Sequence, residues 1–161
     1  MTAPIDAGET ALKAALVARL VAAELISSES QIGDKPINPL PAIAVPSGAR
    51  LALALVRVGP RVRRVYIGGG GPVYALDLLF NIEFAAADPD KAKRETLEGA
   101  VQDIVAAVLR DDPTLGGAVQ RIDLEDAPQL SDAPPAAIIT AIPLALAVTA
   151  GDPLGRLAPA L

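Results

Sequence analysis

Apolar residues recur along this chain with two different periods, and the switches between them outline a fold. Leu12, Leu16, Leu20 and Ala23 repeat at three-to-four spacing with Lys13 and Arg19 off the stripe, which predicts a helix over residues 9–27 that ends at Ser27-Ser28 before Gly33. From 73 to 86 the period drops to two. Tyr74, Leu76, Leu78, Phe80, Ile82 and Phe84 share one face of a strand, and Asp77, Asn81 and Glu83 share the other. One side is expected in the core and the other wet or against a partner. Leu97, Val101, Ile104, Val105 and Val108 then return to helical spacing, predicting a second helix over 89–110 with Asp88 as N-cap and Pro89 in the first turn.

The segments between these elements carry weaker patterns. Residues 31–48 hold four prolines with Gly33 and Asn38 and read as a long connection. Residues 50–58 and 61–67 are strand-like, and their separation by Gly59-Pro60 predicts a hairpin. Residues 118–126 alternate Gln120, Ile122 and Leu124 against Val119, Arg121 and Asp123, as a strand does. Residues 127–135 read as a Pro/Asp/Ser loop. Residues 137–149 read as a last strand, with Pro143 tolerable only at an edge or bulge. Residues 1–8 are expected to be a flexible N-terminus, and 151–161 a Gly/Pro/Ala tail with no assigned role. The whole is one α+β domain over 1–161, a mixed or antiparallel sheet with two helices packed on it.

The run Asp111-Asp112-Pro113-Thr114-Leu115-Gly116-Gly117 ends the second helix and launches a strand within seven residues. Pro113 disfavours helical geometry at Asp112, and the glycines supply backbone freedom beyond it. The string reads as geometry and carries no chemistry.

Composition narrows the chemistry. A chain of 161 residues sustains one core without metals or disulfides. It contains no His and no Cys, which removes an imidazole base, a thiolate nucleophile and the usual zinc and haem ligands. Residues 1–10 hold Asp6 and Glu9 and no basic n-region, so no secretory signal is expected. The uncharged run from Ala133 to Gly151 is broken by Pro134, Pro135 and Pro143, and a buried strand fits it better than a membrane span.

Charge is segregated along the chain although the net value is only −5. From Lys35 to Leu76 there are six bases (Lys35, Arg50, Arg57, Arg61, Arg63 and Arg64) and no acid. From Asp77 to Asp132 thirteen acids face five bases. A basic projecting segment and an acidic body suit head-to-tail stacking of copies. A solvated hairpin whose arginines pair with acids of the same subunit is the other outcome.

Four further features resolve into ordinary structure. Gly68–Gly71 lacks the Lys-Ser/Thr pair and helix start of a phosphate loop and reads as a turn. Asp123, Glu125, Asp126 and Asp132 offer carboxylates to a hard cation, but no spacing fixes a site. Ser47 has no activating base. Arg61, Arg63 and Arg64 suit phosphate, yet Tyr66 alone makes no stacking platform for nucleic acid. No catalytic residue, metal site or cofactor is therefore expected.

The element order, together with Leu109-Arg110-Asp111-Asp112-Pro113-Thr114-Leu115-Gly116-Gly117-Ala118-Val119, resembles the tail terminator (tail completion) proteins of long-tailed bacteriophages and phage-derived particles. The layout matches over residues 10–148, the letters over 109–119. Within that string, Asp112, Pro113, Leu115, Gly116 and Gly117 carry the family-like motif. Pro39-Leu40-Pro41 falls where that family often has a proline-rich approach to its first strand. The resemblance implies a structural virion protein, assembled in the host cytoplasm and residing at the head-proximal end of the tail. Its subunits would form a ring, usually a hexamer, that caps the tail tube and meets the major tail tube protein and a head-completion or connector protein. DNA would be met only in transit through the lumen, and no membrane is involved. Arg57, Arg61, Arg63 and Arg64 become candidate contacts to a neighbouring subunit or to the tube. The alternatives are another head-to-tail joining or baseplate-proximal protein, and, in a different class, a small enzyme using Asp123 and Glu125.

Overall fold

Two helices lie against a six-stranded mixed sheet in a computed structural model that describes residues 2–37, 50–133 and 137–159, so the chain is α+β. In chain order the elements are α1 (Pro4–Ala22), β1 (Ile32–Gly33), β2 (Arg50–Gly68), β3 (Gly71–Ala87), α2 (Lys91–Asp111), β4 (Arg121–Leu124), β5 (Gln129–Ala133) and β6 (Ala137–Ala150). The sheet order is β1-β2-β3-β6-β4, with β5 pairing β6 beside β4. Among the described residues only the short β1–β2 pair is parallel.

α1 begins five residues earlier than its leucine stripe suggests. Pro4 occupies the first turn, where its missing N–H costs nothing, and Ile5 and Gly8 extend the buried face of Leu12, Leu16 and Leu20. The expected flexible N-terminus is thus helix from Pro4 onward, and the helix stops at Ala22, leaving Ala23 exposed at the C-cap. Gly8 sits where α1 packs directly on the sheet. A Cβ there would lie 3.2 Å from Leu78 Cδ1 and 3.4 Å from Leu146 Cδ2, both ends of flexible side chains. Gly8→Ala is expected to be neutral within about 0.5 kcal/mol, because its gain in helix propensity offsets the tight contact. Gly8→Val overfills the gap and is expected to cost about 2 kcal/mol, read by urea unfolding.

The strand pattern on β3 holds, with Leu76, Leu78, Phe80, Ile82 and Phe84 all buried under the helices. Its opposite face is not wet: Asp77 and Glu83 are only 7% and 8% exposed, and Arg61 and Arg63 lie over Asp77. The predicted hairpin of 50–58 with 61–67 does not form. β2 runs straight through Gly59-Pro60 as one strand and pairs with β3 along its whole length, from Arg50 opposite Ala87 to Gly68 opposite Gly71. The register shifts between Arg57 and Gly59 and again between Val62 and Arg64. Such bulges, with Gly59 at φ +137°, accommodate a proline that a regular ladder would reject.

α2 starts two residues later than predicted. Asp90 is the N-cap, accepting from the Ala92 N–H at 2.9 Å, while Asp88 accepts from the Asp90 N–H at 2.8 Å and orients it. Val101, Val105 and Val108 face the core. The 127–135 loop contains a strand, β5, held by pairing with β6 rather than by its own polar sequence. β6 is therefore central, with β3 on one side and β4 and β5 on the other. Pro143 survives there because its carbonyl, and hence its nitrogen, faces the break between β4 and β5, where the Glu125 N–H donates to that carbonyl at 2.8 Å.

Residues 151–159 form an ordered hook. The Asp152 carboxylate accepts from the Arg156 and Leu157 N–H groups, each at 2.8 Å, and the Gly151 N–H closes onto the Leu157 carbonyl at 2.8 Å. Gly155 then reaches the start of α1, where its carbonyl accepts the Ile5 N–H at 3.0 Å. That N–H is one of the four that an α-helix cannot satisfy internally.

Candidate functional site

The four arginines singled out by the sequence sit along the middle of β2, between Arg57 and Arg64, but the bulges send them to different sides of the sheet. Arg57 stands opposite Phe80, on the helix side, and is bound by Asp6 and Glu9 of α1. Arg61 stands opposite Asp77 on the other side. Its guanidinium donates to Asp77 at 2.9 Å and to Glu125 at 2.5 and 3.1 Å. To reach Glu125 it crosses β6 above Ala145 and Ala147, which are small enough to leave room. Arg63 binds the other oxygen of Asp77 at 2.8 Å. Arg64 lies over the Tyr66 ring at 5.8 Å, without an ion pair among the described residues.

Three of the four are thus held by carboxylates of the same subunit. Arg61 is pushed further up from its already high value by its hydrogen bonds to Glu125 and then Asp77. Burial works against the charge of Arg57, and the hydrogen bonds it donates to Asp6 and Glu9 outweigh it, so its affinity for the proton also rises. These pairs are partly exposed and contribute little to stability. Their effect is to pin long side chains and leave Arg64 as the arginine on this face available to a second molecule.

Apolar exposure on the same hairpin is the feature that charge reading missed. β3 meets β6 only from Tyr74 onward, so residues 66–73 extend beyond the sheet as a two-stranded tip turning at Gly69-Gly70. Tyr66 is 51% and Ile67 88% exposed, and Val58, Val62 and Val65 are exposed along the same strand. The signal was present as Val62, Val65 and Ile67 set among the arginines, but a strand flanked by glycine reads as ordinary half-buried sheet. No Cβ added at Gly68, Gly69, Gly70 or Gly71 would meet anything within 4 Å, consistent with an open turn.

The junction after α2 is built as a three-part stop. Asp112 caps the helix, and its Oδ1 accepts from the Gly116 N–H at 2.9 Å. Leu115 is buried at φ +49°, followed by Gly116 at +69° and Gly117 at +92°. A left-handed run of this kind favours glycine, and burial of Leu115 holds the one non-glycine member in place. Pro113 lends its carbonyl to the Ile122 N–H at 2.9 Å, which fastens the junction to β4. Just before it, hydrogen bonds from Arg110 hold the Asp111 carboxyl below the usual carboxylate range.

The acidic cluster is dispersed into separate partnerships. Asp123 pairs with Arg121, Glu125 with Arg61, and Asp126 accepts from the Ala127 N–H at 2.7 Å. Asp132 lies apart on β5. Among the described residues no three His, Cys, Asp or Glu side chains come together as a metal site would require. Ser47 and Pro39-Leu40-Pro41 lie outside the described residues. No described helix is long and apolar enough to cross a membrane, and most of the Ala133–Gly151 run is β6.

No protein-family model matches this chain, and no curated protein is significantly similar to it. The surface itself carries the functional argument: a strand edge rich in arginine and exposed valine, at the far end of the sheet from an acidic edge.

Proposed function

We propose that this chain is a structural assembly subunit, a tail-terminator-like protein that forms a ring, caps a tail tube and joins it to head-completion proteins. The observation that carries this reading is the β2–β3 tip, which extends past β6 and exposes Tyr66 and Ile67 to solvent. A monomer gains nothing from an apolar hairpin held out in water, whereas an assembly buries it. The helix, long hairpin, helix and closing strands also follow the order of that family. On this reading the protein runs no reaction, takes no cofactor and works in the virion at the head-proximal end of the tail, after assembly in the host cytoplasm. Its partners are copies of itself, six to a ring by family analogy, the tail tube protein and a connector.

DNA passing through such a ring is best met by an acidic wall, since bound phosphates would slow transit. Asp and Glu are expected to outnumber Arg on the inner surface. Negative-stain microscopy of the purified protein at several salt concentrations tests the reading. Hexameric rings with an open centre, thinning out as salt rises, are the expected result. Uniform monomer-sized particles at every salt concentration would overturn it.

A further inference from the structure

We propose that the outer edge of β2, over residues 56–68, docks head to tail onto the edge formed by residues 124–132 of a second copy of this chain, extending the sheet between subunits. This rests on the assembly reading above and names the two surfaces it would use.

Both edges are open among the described residues. β1 covers β2 only opposite Leu53 and Ala54. At the other end of the sheet the Ile122 N–H is taken by Pro113, which leaves the stretch from Leu124 through β5 without a strand beyond it. Unpaired strand edges are templates for another chain.

Charge selects which edge meets which. Residues 56–68 hold Arg57, Arg61, Arg63 and Arg64 and no acid, while residues 124–132 hold Glu125, Asp126 and Asp132 and no base. Pairing β2 with its own copy would bring two Arg64 side chains, without ion pairs among the described residues, to one seam, and pairing β5 with itself would bring Asp126 and Asp132 of two copies together. Unlike edges bring Arg64, which has no ion pair among the described residues, to an edge whose Asp126 and Asp132 have none either.

The two faces agree as well. Val62, Val65 and Ile67 stand opposite Leu76, Tyr74 and Pro72, on the helix side of the sheet. Leu130 stands opposite the buried Thr140, on that same side, and is 53% exposed. Arg61 and Glu125 share the other side. A rotation that carries one subunit to the next without turning it over therefore keeps Val62, Val65 and Ile67 on the same face as Leu130, and Arg64 on the same face as Glu125. It also sets β2 antiparallel to β5, because β2, β3, β6 and β5 alternate in direction. Such a contact is heterologous and repeats from copy to copy.

The chain contains no cysteine, so introduced thiols report cleanly. Val65→Cys and Leu130→Cys variants, both at exposed positions, are treated with a short bis-maleimide linker, singly, mixed, and combined in one chain. The mixture is expected to give a covalent dimer, the combined variant a ladder, and each single variant alone only monomer on a denaturing gel. Cross-linking of Val65→Cys with itself would overturn the proposal in favour of a two-fold contact. No cross-link in the mixture, in a sample that light scattering finds multimeric, would overturn these edges and leave the assembly reading standing. A sample that is monomeric throughout would remove both.

Discussion

Replacing Phe84 with alanine is expected to lower the unfolding free energy by about 4 kcal/mol, seen as a lower denaturant midpoint with an unchanged slope. Phe84 is fully buried on the helix side of β3, between Leu53 on β2 and Thr140 on β6. The chain has only two phenylalanines, and the residues after Phe84 on β3 are Ala85, Ala86 and Ala87. No long side chain stands next in line to swing into the space, so the cavity persists and the loss falls toward the large end of its range. Leu124→Ala, at a position 43% exposed, is the control and is expected to change stability by less than about 1 kcal/mol.

Ending the chain at Ala150 is expected to cost about 3 kcal/mol. The hook at Gly151–Pro159 would be lost, and with it the carbonyl that satisfies the Ile5 N–H at the start of α1, a contribution of about 1 kcal/mol. The remainder is apolar. Gly155 lies so close to the core that an added Cβ would meet Leu76 Cδ1 and Leu78 Cδ2 at 3.4 Å and Ile5 Cβ at 3.5 Å. Removing the hook re-exposes part of all three side chains, worth roughly 2 kcal/mol together. Gly155→Ala keeps the hook but forces alanine to φ +72°, and is expected to cost about 1 kcal/mol. Urea unfolding of both forms, followed by far-UV circular dichroism, checks the pair. A truncated chain as stable as the full one would mean that the hook does not cover the core in solution.

The parts of the fold that were legible in the sequence are those where burial alone sets the period. β3 and the buried faces of α1 and α2 follow from alternation and three-to-four spacing, because each presents one whole face to the core. β2 was misread at Gly59-Pro60, since the dipeptide signals a turn and only pairing with all of β3 reveals bulges instead. β5 was missed for a related reason: Gln129–Ala133 has loop composition and becomes a strand through β6. The tail carries no periodicity, and its contacts are with Ile5, Leu76 and Leu78, far away in sequence.

The candidate site divides along the same line. That Arg61, Arg63 and Arg64 share a strand with Val62, Val65 and Ile67 could be read locally. That Arg57 is held by Asp6 and Glu9, 51 and 48 residues away, and Arg61 by Glu125, 64 residues away, could not. Those pairs turn a broad basic stripe into a pinned surface on which Arg64 and the apolar tip remain available. The junction at Asp112–Gly117 was legible as a helix stop, and the buried Leu115 at positive φ adds the reason it is so tightly built.

The central claim is that the chain works as a multimer joined through unlike edges of its sheet. Sedimentation velocity of the unmodified protein over a wide concentration range, at low and high salt, tests it most directly. One discrete closed multimer that gives way to monomer as salt rises is the expected result. A single monomeric boundary at every concentration and salt would contradict it.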